Sequence, residues 1–182
     1  MRAWEMINSL GYLNLLLLVI LIICGYTDLK ERRILNIVVL PAILIALLFH
    51  LAQGGFAGAI FWGKGTLAGL ALLFIPFALG GLGAGDVKLL GVVGAFKGAG
   101  FVLMAFLYAA ILGGIFALFL LIKKKRLKKT LCHIGNAFKV FCLSRFRIFN
   151  LAHLEQERII AIPYGVAIAL GAIVCLVGER LC

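Results

Sequence analysis

Six apolar runs, parted by charged or glycine-rich breaks, constrain this chain more than any other feature of its sequence. They lie at about Leu10–Tyr26, Ile37–Ala52, Thr66–Leu79, Val87–Phe96, Phe101–Ile122 and Ile162–Val177. A helix rises 1.5 Å per residue, so about 20 apolar residues cross a hydrocarbon core of roughly 30 Å. Inside that core only a helix or a closed barrel satisfies its own backbone polar groups. With 64% hydrophobic residues, 14% charged and a mean hydropathy of +1.17, the chain sits outside the range of soluble domains. The expected fold is an all-α membrane protein, a polytopic bundle of about six transmembrane helices forming one domain over residues 1–182. The fourth run is too short to cross unaided, so it is expected to be longer than it reads or to be shielded by its neighbours. The first run lacks a small-x-small cleavage site and is read as a span rather than a removable signal.

Lysine and arginine in short loops set orientation. Lys30, Arg32 and Arg33 follow the first run, and "KKKRLKK" (123–129) follows the fifth. Placing both inside makes the six helices alternate, with both termini outside and Lys64 alone on the outer side. Residues 123–158 carry ten basic and two acidic side chains, +8 of the net +11. Leu131, Ile134, Phe138, Phe141, Cys142 and Phe149 fall on one helical face of this segment, interrupted by Arg145. That pattern suits an amphipathic cytoplasmic segment lying on anionic lipid of the inner leaflet, rather than a partner contact. The same concentration of charge beside apolar spans argues against nucleic-acid binding. Cys24, Cys132, Cys142, Cys175 and Cys182 show no C-x-x-C pair and no zinc spacing, so neither a structural disulfide nor a metal site is expected.

The chain has only two aspartates, Asp28 and Asp86. The topology above puts both at the cytoplasmic end of a membrane helix: Asp28 closes the first span and Asp86 opens the fourth. Each has a plain structural explanation. Asp86 could cap a helix N-terminus, and Asp28 could sit in water beside Lys30 and Arg32. Together they invite another, because acidic residues at membrane depth usually face the bundle interior and mark function. Two carboxylates close together cannot both ionise cheaply, so one keeps its proton and the pair titrates as a unit. The ionised member can then take a proton from water while the protonated member polarises a peptide carbonyl and later protonates the leaving amine. Gly83 and Gly85 would let an extended substrate backbone approach and would permit unusual φ/ψ beside Asp86, or would serve tight helix packing. Other nucleophilic arrangements are weak. Neither Ser9 nor Ser144 sits in a G-x-S-x-G elbow, and His133 and His153 lack an acidic partner at ligand spacing. His50 reads as an interfacial or snorkelling residue near the outer end of a helix.

These residues resemble a known family. "GAGD" (83–86) is similar to the G-x-G-D motif of membrane aspartyl proteases, and its continuation "VKLLG" resembles the type IV prepilin peptidases and their preflagellin relatives. "DLKERRILN" (28–36) resembles their other motif, with Leu35 in place of the usual proline, and "IPYGVAIALGA" (162–172) resembles their last helix. The resemblance implies that Asp28 and Asp86 are the catalytic pair, and that no cofactor is used. It implies a prepilin-like substrate whose short basic leader is cut on the cytoplasmic side of the inner membrane, just before a hydrophobic helix. The paired C-x-x-C segment of longer members does not occur in this sequence, so methyltransferase activity is not expected. Two alternatives remain at this point: a G-x-G-D protease acting on other transmembrane substrates, and a small transporter or channel subunit using Asp28 and Asp86 for proton or cation passage. A conduit needs polar residues continuing to the far side, and the apolar runs hold almost none.

Overall fold

The computed structural model describes residues 2–78, 81–123 and 164–181. Among them every regular element is an α-helix: α1 (Arg2–Glu31), α2 (Asn36–Ala78), α3 (Ala84–Lys97), α4 (Ala99–Lys123) and α5 (Tyr164–Leu181). The chain divides into two compact units. The first is Met1–Gly113 with Pro163–Cys182; of the second, Gly114–Ile162, only the end of α4 belongs to the described residues. The amphipathic segment expected at 123–158 lies, apart from Lys123, outside the described residues.

Among the described residues three helical stretches are long and apolar enough to cross a membrane: Gly11–Glu31, Asn36–Ala78 and Ala99–Phe119; Tyr164–Glu179 is a shorter apolar helix. The second stretch is 43 residues long because it contains two arms. At Gly55 the backbone leaves helical geometry (φ 55°, ψ −135°), a left-handed conformation that favours glycine. The chain turns back there. Gly58 lies against the His50 carbonyl, and Trp62 Nε1 donates to the Ile43 carbonyl at 3.1 Å, contacts a straight helix cannot make. The glycine-rich break between the second and third apolar runs, 53–65, is not a loop. Instead only the reversal at Gly55 interrupts the helix, and most of that glycine-rich stretch belongs to the second arm.

The reason lies in packing. Lipid tails give helices no hydrophobic reason to associate with each other, so membrane helices associate through close backbone approach at small residues. Gly65 and Gly69 of the second arm press on Gly94 and on the Leu90 carbonyl of α3, and a Cβ at either Gly65 or Gly94 would overlap the other's carbonyl. Pressed in this way, α3 is buried along almost its whole length, from Asp86 to Phe96. It spans 14 residues, extended at both ends beyond the run Val87–Phe96, and its neighbours shield it as a short segment requires.

Leu17, Leu21, Leu89, Val92, Val93, Val102 and Ile168 are fully buried where α1, α3, α4 and α5 meet. The outward faces remain apolar: Tyr12, Ile37, Phe56, Leu67, Ile75 and Ile115 are each more than 60% exposed. An apolar surface this extensive is far beyond what a soluble monomer leaves bare and fits hydrocarbon as its solvent.

Candidate active site

Asp28 lies in the last turn of α1, and Asp86 in the first turn of α3. Although 58 residues apart in the chain, they line one open-sided cleft of about 280 Å³. Asp28, Arg32, Arg33 and Ile34 form one side of the cleft, and Gly83, Ala84, Gly85 and Asp86 form the other. Both carboxylates are nearly buried, Asp28 6% exposed and Asp86 8%.

Asp86 is not the N-cap residue. Gly83 holds that position and Asp86 is the third helical residue, where its Oδ2 accepts the Gly83 N–H at 3.1 Å. This satisfies one of the four donors that every helix N-terminus leaves open. Asp28 is held from a distance. Its Oδ2 accepts the Val166 N–H at 3.2 Å, a donor left free by the first turn of α5 and 138 residues away. Asp28 is therefore buried and hydrogen-bonded, not a solvated loop residue.

Beyond Asp28 the helix ends at Arg32, whose N–H still bonds the Asp28 carbonyl at 3.0 Å. Arg32 has φ 51°, the only positive φ of a non-glycine residue among the described ones, and that conformation costs an L-residue about 1 kcal/mol. The turn sends residues 33–35 across the cleft toward the start of α2. There Lys88, two residues past Asp86, donates to Asn36 Oδ1 at 3.0 Å and ties the two motif segments together.

Neither glycine supplies unusual φ/ψ beside Asp86. Gly83 has ordinary extended dihedrals (φ −79°, ψ 149°), and neither it nor Gly85 adopts positive φ. The space beside Gly85 is filled by Ile34: a Cβ there would lie 2.8 Å from the Ile34 Cβ. Gly85 therefore serves packing on that side, the alternative already weighed for it. Gly83 is exposed at the cleft.

Three contributors went unmarked in the sequence. Ile34 carries no signal that sets it apart. Gly165 and Val166 lie in "IPYGVAIALGA", where a glycine at the fourth position of an apolar run is the available hint. His50 does not snorkel: its Nε2 lies 3.3 Å from the Phe96 carbonyl and donates to it in the Nε2–H tautomer. Among the described residues no three His, Cys, Asp or Glu side chains gather as metal ligands. Two buried carboxylates facing one cleft can share a proton, and with it the two halves of acid–base work on a bound amide.

No curated protein and no solved structure matches the chain. The sequence model of the type IV leader peptidase family matches residues 15–118, more than half of the chain, a region that includes both aspartates, the turn between α1 and α2, and α3. The chain thus belongs to the type IV leader peptidase family.

Proposed function

We propose that this peptidase is a membrane aspartyl endopeptidase that removes the leader of type IV prepilin-like precursors at the cytoplasmic face, with Asp28 and Asp86 as its catalytic pair. The observation that carries the reading is the meeting of the chain's only two aspartates, from separate helices, in one cleft. Burying two carboxylates together is costly, and a fold that does so without pairing either to a cation by a salt bridge among the described residues has a use for them.

In this reading one carboxylate is ionised and the other protonated. The ionised one removes a proton from a water molecule as the water oxygen attacks the scissile carbonyl. The protonated one donates its hydrogen bond to that carbonyl oxygen. When the tetrahedral intermediate collapses, the C–N bond breaks and the leaving amine takes a proton from the pair. The substrate reaches the cleft as an extended segment between its basic leader and its hydrophobic helix, and exposed Gly83 leaves its backbone room to approach. Lys30, Arg32 and Arg33, at or just beyond the end of α1 beside the cleft, support a cytoplasmic placement, since basic residues in short loops favour the inner side.

The test is cleavage of co-expressed prepilin-like precursors. Product size on a gel and the new N-terminus by mass spectrometry locate the cut, and Asp28→Asn and Asp86→Asn run beside the parent. Cleavage at the leader boundary, lost in both variants, is the expected result. Cleavage that survives both substitutions would remove the aspartyl mechanism.

A further inference from the structure

We propose that Gly165, in the first turn of α5, is a positioning residue for catalysis: its missing side chain is the space in which the Asp28 carboxylate is held. The inference rests on the reading of Asp28 as one of the catalytic pair and extends it to a residue outside the region that the family model matches.

The geometry is specific. A Cβ at Gly165 would lie 2.8 Å from Asp28 Oδ2, 3.0 Å from Asp28 Cγ and 2.9 Å from Ile34 Cδ1. Real Cβ atoms essentially never approach this closely, so something must move. Three things could: α5, Ile34 or the carboxylate.

α5 has little freedom to retreat. Gly171 is pressed on the backbone of α4, where a Cβ would lie 2.8 Å from the Ala105 carbonyl oxygen and 2.5 Å from the Ala109 nitrogen. On its other side Ala169 lies beside α1 at Gly25, where a Cβ would meet it at 3.5 Å, and at the far end Glu179 is ion-paired with Lys97 of α3. Ile34 can swing its Cδ1 aside about χ2 while its Cβ stays over Gly85, but that leaves the contact with the Asp28 carboxylate in place. The element left to relieve that contact is the Asp28 side chain, which turns about its own χ angles at the cost of the Val166 hydrogen bond. A displacement of about 1 Å in a catalytic group can lower a rate by roughly a hundredfold.

The experiment measures kcat and KM for cleavage of a precursor with a basic leader and a hydrophobic helix, per folded enzyme by gel filtration in detergent. Parent, Gly165→Ala, Gly165→Ala with Ile34→Val, and Asp28→Asn are compared. The double variant removes the Ile34 Cδ1 and carries the measurement if the single one accumulates poorly. The expected result is a kcat about 10- to 100-fold below the parent in both alanine variants, with KM within about twofold. Parental kcat in Gly165→Ala, or a loss confined to KM, would overturn the assignment. Return of parental kcat in the double variant would also overturn it, since Gly165 would then only make room for Ile34. If Asp28→Asn is inactive and Gly165→Ala is not, only the positioning role fails. If Asp28→Asn cleaves normally, the catalytic pair fails, and the positioning role with it.

Discussion

The two ends of the bundle use charge in opposite ways. Helices α1, α3 and α5 each contribute a polar group to both of these places, α1 from Asn14 within the helix. At one end Asp28, Asp86 and the Val166 N–H surround the cleft. At the other Lys97 is ion-paired with Glu179, donates to Asn14 Oδ1 at 3.3 Å and lies 5.1 Å from the centre of the Phe101 ring. That cation is 14% exposed, and its contacts join four helices. At the far end charge is neutralised and links helices; at the cleft two carboxyl groups line one space, with the Gly83 and Val166 backbone N–H groups as hydrogen-bond donors to them. The first arrangement stabilises the fold, whereas the second costs stability, a cost that the proposed chemistry would account for.

The largest test of this contrast is at the cleft. Asp86→Asn should lower cleavage by about a thousandfold, the scale of lost general acid–base catalysis, without lowering the thermal unfolding temperature in detergent. A drop in unfolding temperature as large as that of a far-end variant would erase the distinction between the two ends. Next in size is the seam that holds α3 between them. Gly94→Ala forces a methyl group onto the Gly65 carbonyl and should cost about 3 kcal/mol of stability, read by unfolding in mixed detergent and denaturant. Near-normal stability would mean that the α2–α3 contact is looser than the backbone approach implies.

At the far end, Lys97→Met removes the ion pair and the Asn14 bond. It should cost about 1 kcal/mol, since Glu179 is half-exposed and remains solvated, while cleavage per folded enzyme stays within about threefold of the parent. Loss of catalysis without loss of stability would show that this end also governs the chemistry. The smallest effect concerns the turn beside Asp28. Arg32→Gly relieves a left-handed conformation and should raise stability by about 0.5 kcal/mol, net of the added freedom of the unfolded chain, whereas Arg32→Val should lower it. A destabilised glycine variant would mean that the arginine side chain, rather than its backbone, holds the turn.

The helical architecture was legible in the sequence because apolar runs against lipid depend on composition and length, both local properties. Asp28 and Asp86 were legible for a related reason: a carboxylate beside a membrane-grade run is too costly to be incidental, and the chain has only two aspartates. The glycine-rich stretch 53–65 suggests a loop in the sequence, as glycine does wherever its packing partners are unknown. Here much of that stretch is helical, and Gly65 is the point of closest approach to α3.

By itself, then, the sequence determined that the chain is apolar and helical, where its breaks fall, and which two carboxylates stand out. Only the tertiary structure decided that α2 folds back at Gly55, that Ile34 fills the space over Gly85, and that Gly165 and the Val166 N–H lie on Asp28. These are contacts between segments as much as 138 residues apart, and they depend on which small residue faces which backbone. Hydropathy and periodicity report how each segment meets its solvent, and such pairings leave no trace in either.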